Sequence, residues 1–580
     1  MKKNVLALSI AAMIGGLGFA NIASADVVAG TGAPGADGVY VTDRTLLTAT
    51  NTRDLAVTQG GTGHSLVVPY FNAQNGNMTV LHVVNTDTVH GKLAKVRFRS
   101  AANSDDILDF QVFLSPGDVW TAAVTAAANG VAQLTTADGT CTLPALAKGV
   151  PQSFVTDRLS DKVGDIANQT REGYVEIFNM ANIDASKIYG AANNANSTLY
   201  TAIKHVNGTA PCTAAALDAT LANLTTEATV RALGLDTPTT GLMGDWYIIN
   251  VAQSTTFAGA ATALTAVTAA GGTTAGRGNF VHFPQNATAA PTPETFSSDP
   301  LFRVNFTRNN VNAAVTTAAI RAANYDLPDM STPYTLAAAG AAAVDTRVQA
   351  YNLTKALAVT SITNQYANDA SISAKTDWVF SMPTRRYSVA ANYAATTTTA
   401  DNYRLYTVLD TGAGGAGPNY AAWFAPENTA LQGGLICVNS TGQSFWDREE
   451  QSRTAGAVFS PGSVSQTRFC GEASVLSFAD TGNSVLAASV ARQNVAAGAA
   501  SGPFTNGWSV ISTGNSFNTT LGGTYSAPGT ANVAAALAAS YASQAGLPIL
   551  GASFIKLTNP QAAAGTVGTY GITWPHRFTK

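Results

Sequence analysis

Charge is scarce in this sequence. Of 580 residues only 12% are Asp, Glu, Lys or Arg, and 32 basic against 35 acidic residues leave a formal net charge of −3. With no basic field to hold a phosphate backbone, nucleic acid is not an expected partner, and neither is a polybasic membrane anchor. There are only four cysteines and seven methionines, and 8% of residues are aromatic. Beyond the first twenty residues no long apolar run reads as a membrane helix: the least polar later stretch, Ala534 to Ile555, contains Ser540, Ser543, Gln544 and Pro548. Small apolar residues are plentiful: 46% of the chain is hydrophobic, much of it alanine. With a mean hydropathy of +0.09, this argues against disorder and for several buried cores.

The N-terminus has the form of a secretory signal: Met1-Lys2-Lys3, an apolar run from Val5 to Ala20 broken by glycines, and Ala23-Ser24-Ala25 as a small-residue cleavage site before Asp26. Residues 1–25 are therefore expected to be removed, and loss of Lys2 and Lys3 shifts the charge from −3 to about −5. No cysteine follows the site, so a lipoprotein is not expected. In an exported chain the four cysteines read as two local disulfides, Cys141 with Cys212 and Cys437 with Cys470, on sequence proximity alone. A zinc site lacks the required C-x-x-C or histidine spacing. A membrane β-barrel is the weaker architecture, because long Ala/Thr tracts replace its regular strands and the chain ends Arg577-Phe578-Thr579-Lys580.

From Ser65 to Val124 short alternating strands are separated by Asn75-Gly76-Asn77 and Ser115-Pro116-Gly117-Asp118 turns, the pattern of an antiparallel sandwich. More strands are expected at Gly173–Met180, Asp245–Val251, Thr376–Pro383, Tyr403–Leu409, Ser474–Phe478 and Trp508–Ile511. Ala210 to Leu235 has helical composition. Ala258–Ala275 and Thr335–Val344 are low in complexity and read as helices or surface loops. The expected fold is mainly β, immunoglobulin-like antiparallel sandwiches with Ala/Thr-rich helical or loop insertions. It divides into a β-sandwich region at 26–255, a connecting region at 256–345 and a β-rich domain at 346–580.

Chemistry is hard to find. No G-x-S-x-G elbow, phosphate loop or zinc-binding histidine pair appears, and the scattered carboxylates neither support nor exclude a glycosidase. Asn103, Asp105, Asp106 and Asp109 gather oxygens in one loop that suits Ca²⁺; the plainer reading is a solvated turn paired with Arg97 or Arg99. Asp447 to Arg453 mixes both charge signs, as an ion-pair network or an assembly contact would. Trp120, Trp246 and Trp378 each follow an aspartate by one or two positions; they read either as sugar-stacking platforms or as core residues.

Several segments resemble a family of large proteobacterial surface proteins, some of them surface-layer proteins: Val68-Pro69-Tyr70-Phe71, Leu114-Ser115-Pro116-Gly117-Asp118-Val119-Trp120, Thr376-Asp377-Trp378-Val379, and Asp447-Arg448-Glu449-Glu450-Gln451. The resemblance implies no catalytic residues. It implies an exported, non-enzymatic cell-surface protein that assembles with itself into an S-layer-like array on a Gram-negative outer membrane. Lipopolysaccharide or another outer-membrane protein is the expected anchor, and Ca²⁺ a stiffener of loops. Beside it stand an adhesin or glycan-binding protein, a secreted hydrolase and an outer-membrane porin.

Overall fold

A computed structural model describes residues 26–580 apart from 34–44, 186–196, 223, 283–284, 286–305, 308–309, 312–328, 338–342, 345, 388, 392, 394–396, 399–402, 407–428, 456–466, 479–483, 495–503, 515–545 and 564–565. The expected signal, residues 1–25, lies outside the described residues, as do 338–342 of Thr335–Val344 and 407–409 of Tyr403–Leu409. No described helix is long and apolar enough to cross a membrane.

The chain is mainly β, built from antiparallel sheets, with Arg492–Asn494 pairing in parallel with Ala473–Ser477. The first half forms two. A six-stranded sheet centres on Val119–Ala126, Met78–Asn85 and Leu242–Asn250; an eight-stranded sheet centres on Ser65–Asn72, Glu172–Ile183, Gly91–Ser100 and Asp106–Leu114. The strands of the smaller sheet alternate buried and partly exposed, as strict apolar/polar alternation requires of a sheet with one wet face. Leu81, Val83, Trp120 and Trp246 point from it onto Leu66, Val96, Phe98, Phe110 and Ile177 of the larger sheet. These two sheets make a sandwich with more strands than the roughly seven to nine of an immunoglobulin domain.

The larger sheet is buried on both faces: every residue of Gly91–Ser100, Asp106–Leu114 and Glu172–Ile183 is out of solvent. Its far face is covered partly by the segment expected to be helical, here the short helices Ala214–Asp218 and Glu227–Ala232 with Thr198–Ile203 upstream. Leu199, Ile203, Leu217 and Val230 join Leu93, Phe113 and Met180 there. A capping box between Thr226 and Thr229 starts the last helix.

The expected connecting region is corrected over its first part. Thr255–Ala260 is the edge strand of the six-stranded sheet, Thr262–Val267 pairs with Ser65–Asn72, and Phe280–His282 pairs with Asp26–Val28. Alanine has little strand preference and dilutes that of threonine, but Phe257, Ala263, Leu264 and Val267 supply an apolar face that tertiary packing uses.

The second half holds two five-stranded sheets and a three-stranded one, Thr429–Gln432, Leu435–Asn439 and Arg468–Cys470. One five-stranded sheet runs Arg492–Asn494, Ala473–Ser477, Lys375–Ser381, Leu550–Ala563, Thr566–Pro575; the other runs Ser452–Ala455, Gly442–Trp446, Asn506–Ser512, Ser361–Ala367, Arg577–Thr579. The first is sandwiched between the halves. Trp378 and Phe380 face Phe478, Phe469 and His576; Val379, Ala552 and Phe554 face the first half, where Phe554 meets Trp246 and Phe257 at 5.8 and 5.4 Å between rings. Polar contacts lock this junction: the Leu486 carbonyl accepts from Asn72 and Asn77 at 3.0 and 2.8 Å, and Glu172 accepts from the Ser489 amide. The two halves therefore share one core and do not separate at a boundary near Asn324–Thr346.

Candidate functional site

The disulfides form as expected, Cys141 to Cys212 and Cys437 to Cys470, with Cα atoms 5.3 and 3.9 Å apart. The second joins directly opposed residues of neighbouring strands. Among the described residues no cysteine is free.

The acidic loop connects the strands Gly91–Ser100 and Asp106–Leu114, with Ser104 in the left-handed region at φ 60°. Its four candidate ligands fall into two pairs, Asn103 with Asp105 and Asp106 with Asp109, each engaged by other side chains. The Tyr393 hydroxyl donates to Asp105 at 2.6 Å, and Asn103 donates to the same hydroxyl oxygen at 3.1 Å. Asp106 accepts from Arg158 at 3.2 Å and lies 3.5 Å from Arg97; Asp109 accepts from Lys95 at 2.6 Å and lies 3.6 Å from Arg97. Arg97, Lys95, Asp106 and Asp109 are all fully buried. The pairing with Arg97 is the one expected, but the turn is not solvated: the polar face of Lys95-Val96-Arg97-Phe98-Arg99 is covered, and its charges pair inside the protein.

Burial raises the Asp106 carboxyl, and the neighbouring Asp109 charge raises it further. Burial works the same way on Asp109, but Lys95 and Arg97 override it and hold Asp109 below the usual carboxylate range. Lys95 falls to about 8, chiefly from burial, against the pull of Asp109. A divalent cation at these carboxylates competes with Lys95, Arg97 and Arg158. Among the described residues no three His, Cys, Asp or Glu side chains are grouped to hold a metal. The row continues with Arg99 on Glu176 at 3.3 Å and Arg385 on Glu472 at 3.1 Å.

Trp120, Trp246 and Trp378 are core residues, and the sugar-platform reading of them is corrected. Trp120 is fully buried against Phe110; Trp246 donates to the Ala260 carbonyl at 3.3 Å and Trp378 to the Gln365 carbonyl at 2.9 Å. A saccharide has no face of these rings to stack on.

The exposed aromatics lie elsewhere. In the outer five-stranded sheet, Phe445, Ser509, Ile511, Ile362 and Tyr366 point inward, so strand alternation turns Ser444, Trp446, Trp508, Val510, Thr363 and Gln365 outward. Trp446 and Trp508 are directly opposed and stack with ring centroids 4.0 Å apart and planes 5° from parallel. Trp508 is 38% exposed. Gly507 makes this approach workable: a Cβ there would come within 1.8 Å of the Trp446 carbonyl oxygen. Gln365 lies beside Trp508 and Ser452 beside Trp446 in the same cross-strand row; Ser444, Val510, Thr363 and Arg577 form the next. The turn beyond Trp446 is shaped by Asp447, which accepts from the Glu449 and Gln451 amides at 2.9 Å each.

A second group lies along the C-terminal strands: Val567, Tyr570, Trp574 and Phe578 are 39–61% exposed. Arg577 stands over the Trp574 ring and Lys580 over Phe578, at 5.7 and 5.6 Å. Part of Thr566–Pro575 abuts the edge of the six-stranded sheet, where Ala258 donates to the Thr573 hydroxyl at 3.3 Å and Gly571 lies against the Thr256 carbonyl.

Reading the sequence for Asp-Trp neighbours missed these residues. A usable signal was there: Phe445 and Trp446 are consecutive in a strand, and a strand sends consecutive side chains to opposite faces.

The chain matches no protein-family model, no curated protein and no solved structure.

Proposed function

We propose that the chain is an exported, non-enzymatic structural protein of a bacterial cell surface that assembles with copies of itself, as an S-layer-like array on a Gram-negative outer membrane. The observation that carries this reading is the placement of the exposed aromatics. Three of the four aromatics among the exposed large hydrophobics of the described residues, Tyr570, Trp574 and Phe578, sit on Thr566–Pro575 and Arg577–Thr579, each the edge strand of its sheet, and the tryptophans of the first half are interior. Aromatic side chains left in water on strands near a sheet edge are the composition that protein contacts use. The two disulfides support an oxidising destination, and the sequence resemblance points the same way.

In this reading the hairpin Leu550–Ala563 and Thr566–Pro575 carries the homotypic contact, with Tyr570 at its centre. The test is sedimentation of the mature chain over a concentration series, beside electron microscopy of native and gene-deleted cell surfaces. Concentration-dependent assembly that Tyr570→Glu abolishes, with a periodic coat lost on deletion, is the expected result. A chain that stays monomeric at high concentration, on cells whose surface is unchanged by deletion, ends the proposal.

A further inference from the structure

We infer that the outer face of the five-stranded sheet, centred on the stacked pair Trp446–Trp508, binds a neutral polysaccharide. The inference goes beyond the assembly reading and does not rest on it, because the assembly contact is placed on Thr566–Pro575, a strand of the other five-stranded sheet.

The chemistry of the face selects the ligand. A tryptophan 38% exposed on a face whose outward neighbours are polar apart from Val510 leaves apolar area in water that adds nothing to the fold, since apolar burial is what stabilises. Here two indoles are held rigid and in register, with Gly507 permitting the close backbone. One face of each ring is spent on the other. The exposed part of Trp508 and the half-buried Trp446 beside it are left to meet a ligand.

Beside the stack the cross-strand rows offer neutral hydrogen-bonding groups: Gln365 and Ser452 in the same row, Ser444 and Thr363 in the next. Strands are spaced by about 4.8 Å, close to the length of one hexose unit. A sugar chain crossing the strands thus meets an aromatic surface for its C–H groups, then an amide or hydroxyl for its O–H groups.

A second copy of the chain is the less suitable occupant. Two whole tryptophans bring about 150–250 Å² each, short of the roughly 800 Å² per partner of a stable interface, and the only other apolar residue in these rows is Val510. An anionic polymer is also disfavoured, because Glu449 and Glu450 stand exposed in the turn beyond Trp446, and Arg577, the cation at the end of the second row, is engaged over the Trp574 ring.

The test uses the full mature chain in native gels cast with a soluble neutral glucan, mannan or galactan. At least one polymer is expected to retard the wild type. Trp508→Ala and Trp446→Ala should each weaken that retardation at least tenfold, Gln365→Ala about threefold, and Tyr570→Ala not at all, with melting temperatures of the Gln365 and Tyr570 variants near wild type. Should a tryptophan variant fail to fold, the wild type alone decides: the retarding polymer must shield tryptophan fluorescence from acrylamide. No retardation by any of the three polymers overturns the inference. So does retardation that survives Trp508→Ala in a folded variant, and so does a Trp508→Ala chain that loses only self-association, which would make this face a contact between copies.

Discussion

Trp120 and Trp508 occupy strands of the same kind, short, antiparallel and alternating, yet the first is sealed against Phe110 and the second stands 38% exposed beside Trp446. The carboxylates divide the same way. Asp109 is fully buried on Lys95 and Arg97, whereas Asp447 sits in a surface turn and accepts only backbone amides within its own hairpin. In the first half, polar and aromatic side chains alike are used to fix the interior. In the second, Trp378, Arg385 and Glu472 do the same, but its outer sheet also places tryptophan and carboxylates where something outside the chain can meet them. Side-chain identity does not assign a role here; the number of layers stacked on a strand does.

The largest expected effects come from breaking the buried side of this contrast. Asp109→Ala leaves Lys95 without the carboxylate it donates to, and Arg97 with Asp106 alone of its two, in a solvent-free layer, a loss of about 3–5 kcal/mol. Trp120→Ala removes a fully buried indole and should cost a similar amount, about 3–5 kcal/mol. Chemical denaturation reads both as large falls in midpoint. A shift below about 1 kcal/mol for Asp109→Ala would mean that water reaches the row.

The disulfides come next. Cys141 and Cys212 are 71 residues apart, Cys437 and Cys470 only 33. Loop-closure entropy then assigns each bridge about 4 kcal/mol, with the first worth roughly 0.5–1 kcal/mol more. Paired Cys→Ser variants should melt in that order, Cys141/Cys212 lowest.

Much of the β architecture was legible from period-two alternation. Met78–Asn85 and Leu242–Asn250 appear where alternation places strands, because their sheet has one wet face and the pattern records it. The disulfide pairing was legible from proximity. The depth of Gly91–Ser100 was not: the loop from Asn103 to Asp109 read as a solvated turn paired with Arg97 or Arg99, and only the register shows Glu176 and Asp109 flanking Arg97 on both neighbouring strands. Thr262–Val267 escaped notice because alanine and threonine carry little local signal and the strand exists through its pairing with Ser65–Val67. The Trp446–Trp508 pair was illegible for a similar reason. The two residues are far apart in sequence, and only pairing of the strands Gly442–Trp446 and Asn506–Ser512 makes them one surface.

His576 offers a finer probe of the interior. Its ring stacks on Phe380, pairs with Asn364 at 2.9 Å and lies 2.9 Å from the Val379 carbonyl, and burial lowers its pKa to about 3. The unfolded chain takes up this proton near the ordinary value of 6.5, so between pH 6.5 and 3 the unfolded state holds more protons. Stability is then lost as pH falls through that window, by about 1.4 kcal/mol per pH unit from this one group. Buried carboxyls with raised pKa, Glu172 and Asp377 among them, work in the opposite direction, so the whole-protein curve mixes the two. Subtraction isolates the histidine: His576→Gln should show a shallower loss of stability on acidification than wild type. Parallel curves would place the imidazole in contact with water.

The smallest stability effect belongs to the exposed side of the contrast, and it separates a surface kept for a partner from one kept for the fold. Trp508 loses part of its contact area to water already, and its inward neighbours Ser509 and Ile511 hold the strand without it. Trp508→Ala should therefore change unfolding free energy by less than about 1 kcal/mol. Trp446 is less exposed and shares the same stack, so Trp446→Ala should cost somewhat more, and the double variant less than the sum, because the first substitution already removes the contact between the two rings. Denaturation of the two single variants and the double variant measures that coupling. A Trp508→Ala loss comparable with that of Trp120→Ala would show the pair to be a structural brace of the outer sheet, and the difference between the two halves would then be one of exposure alone.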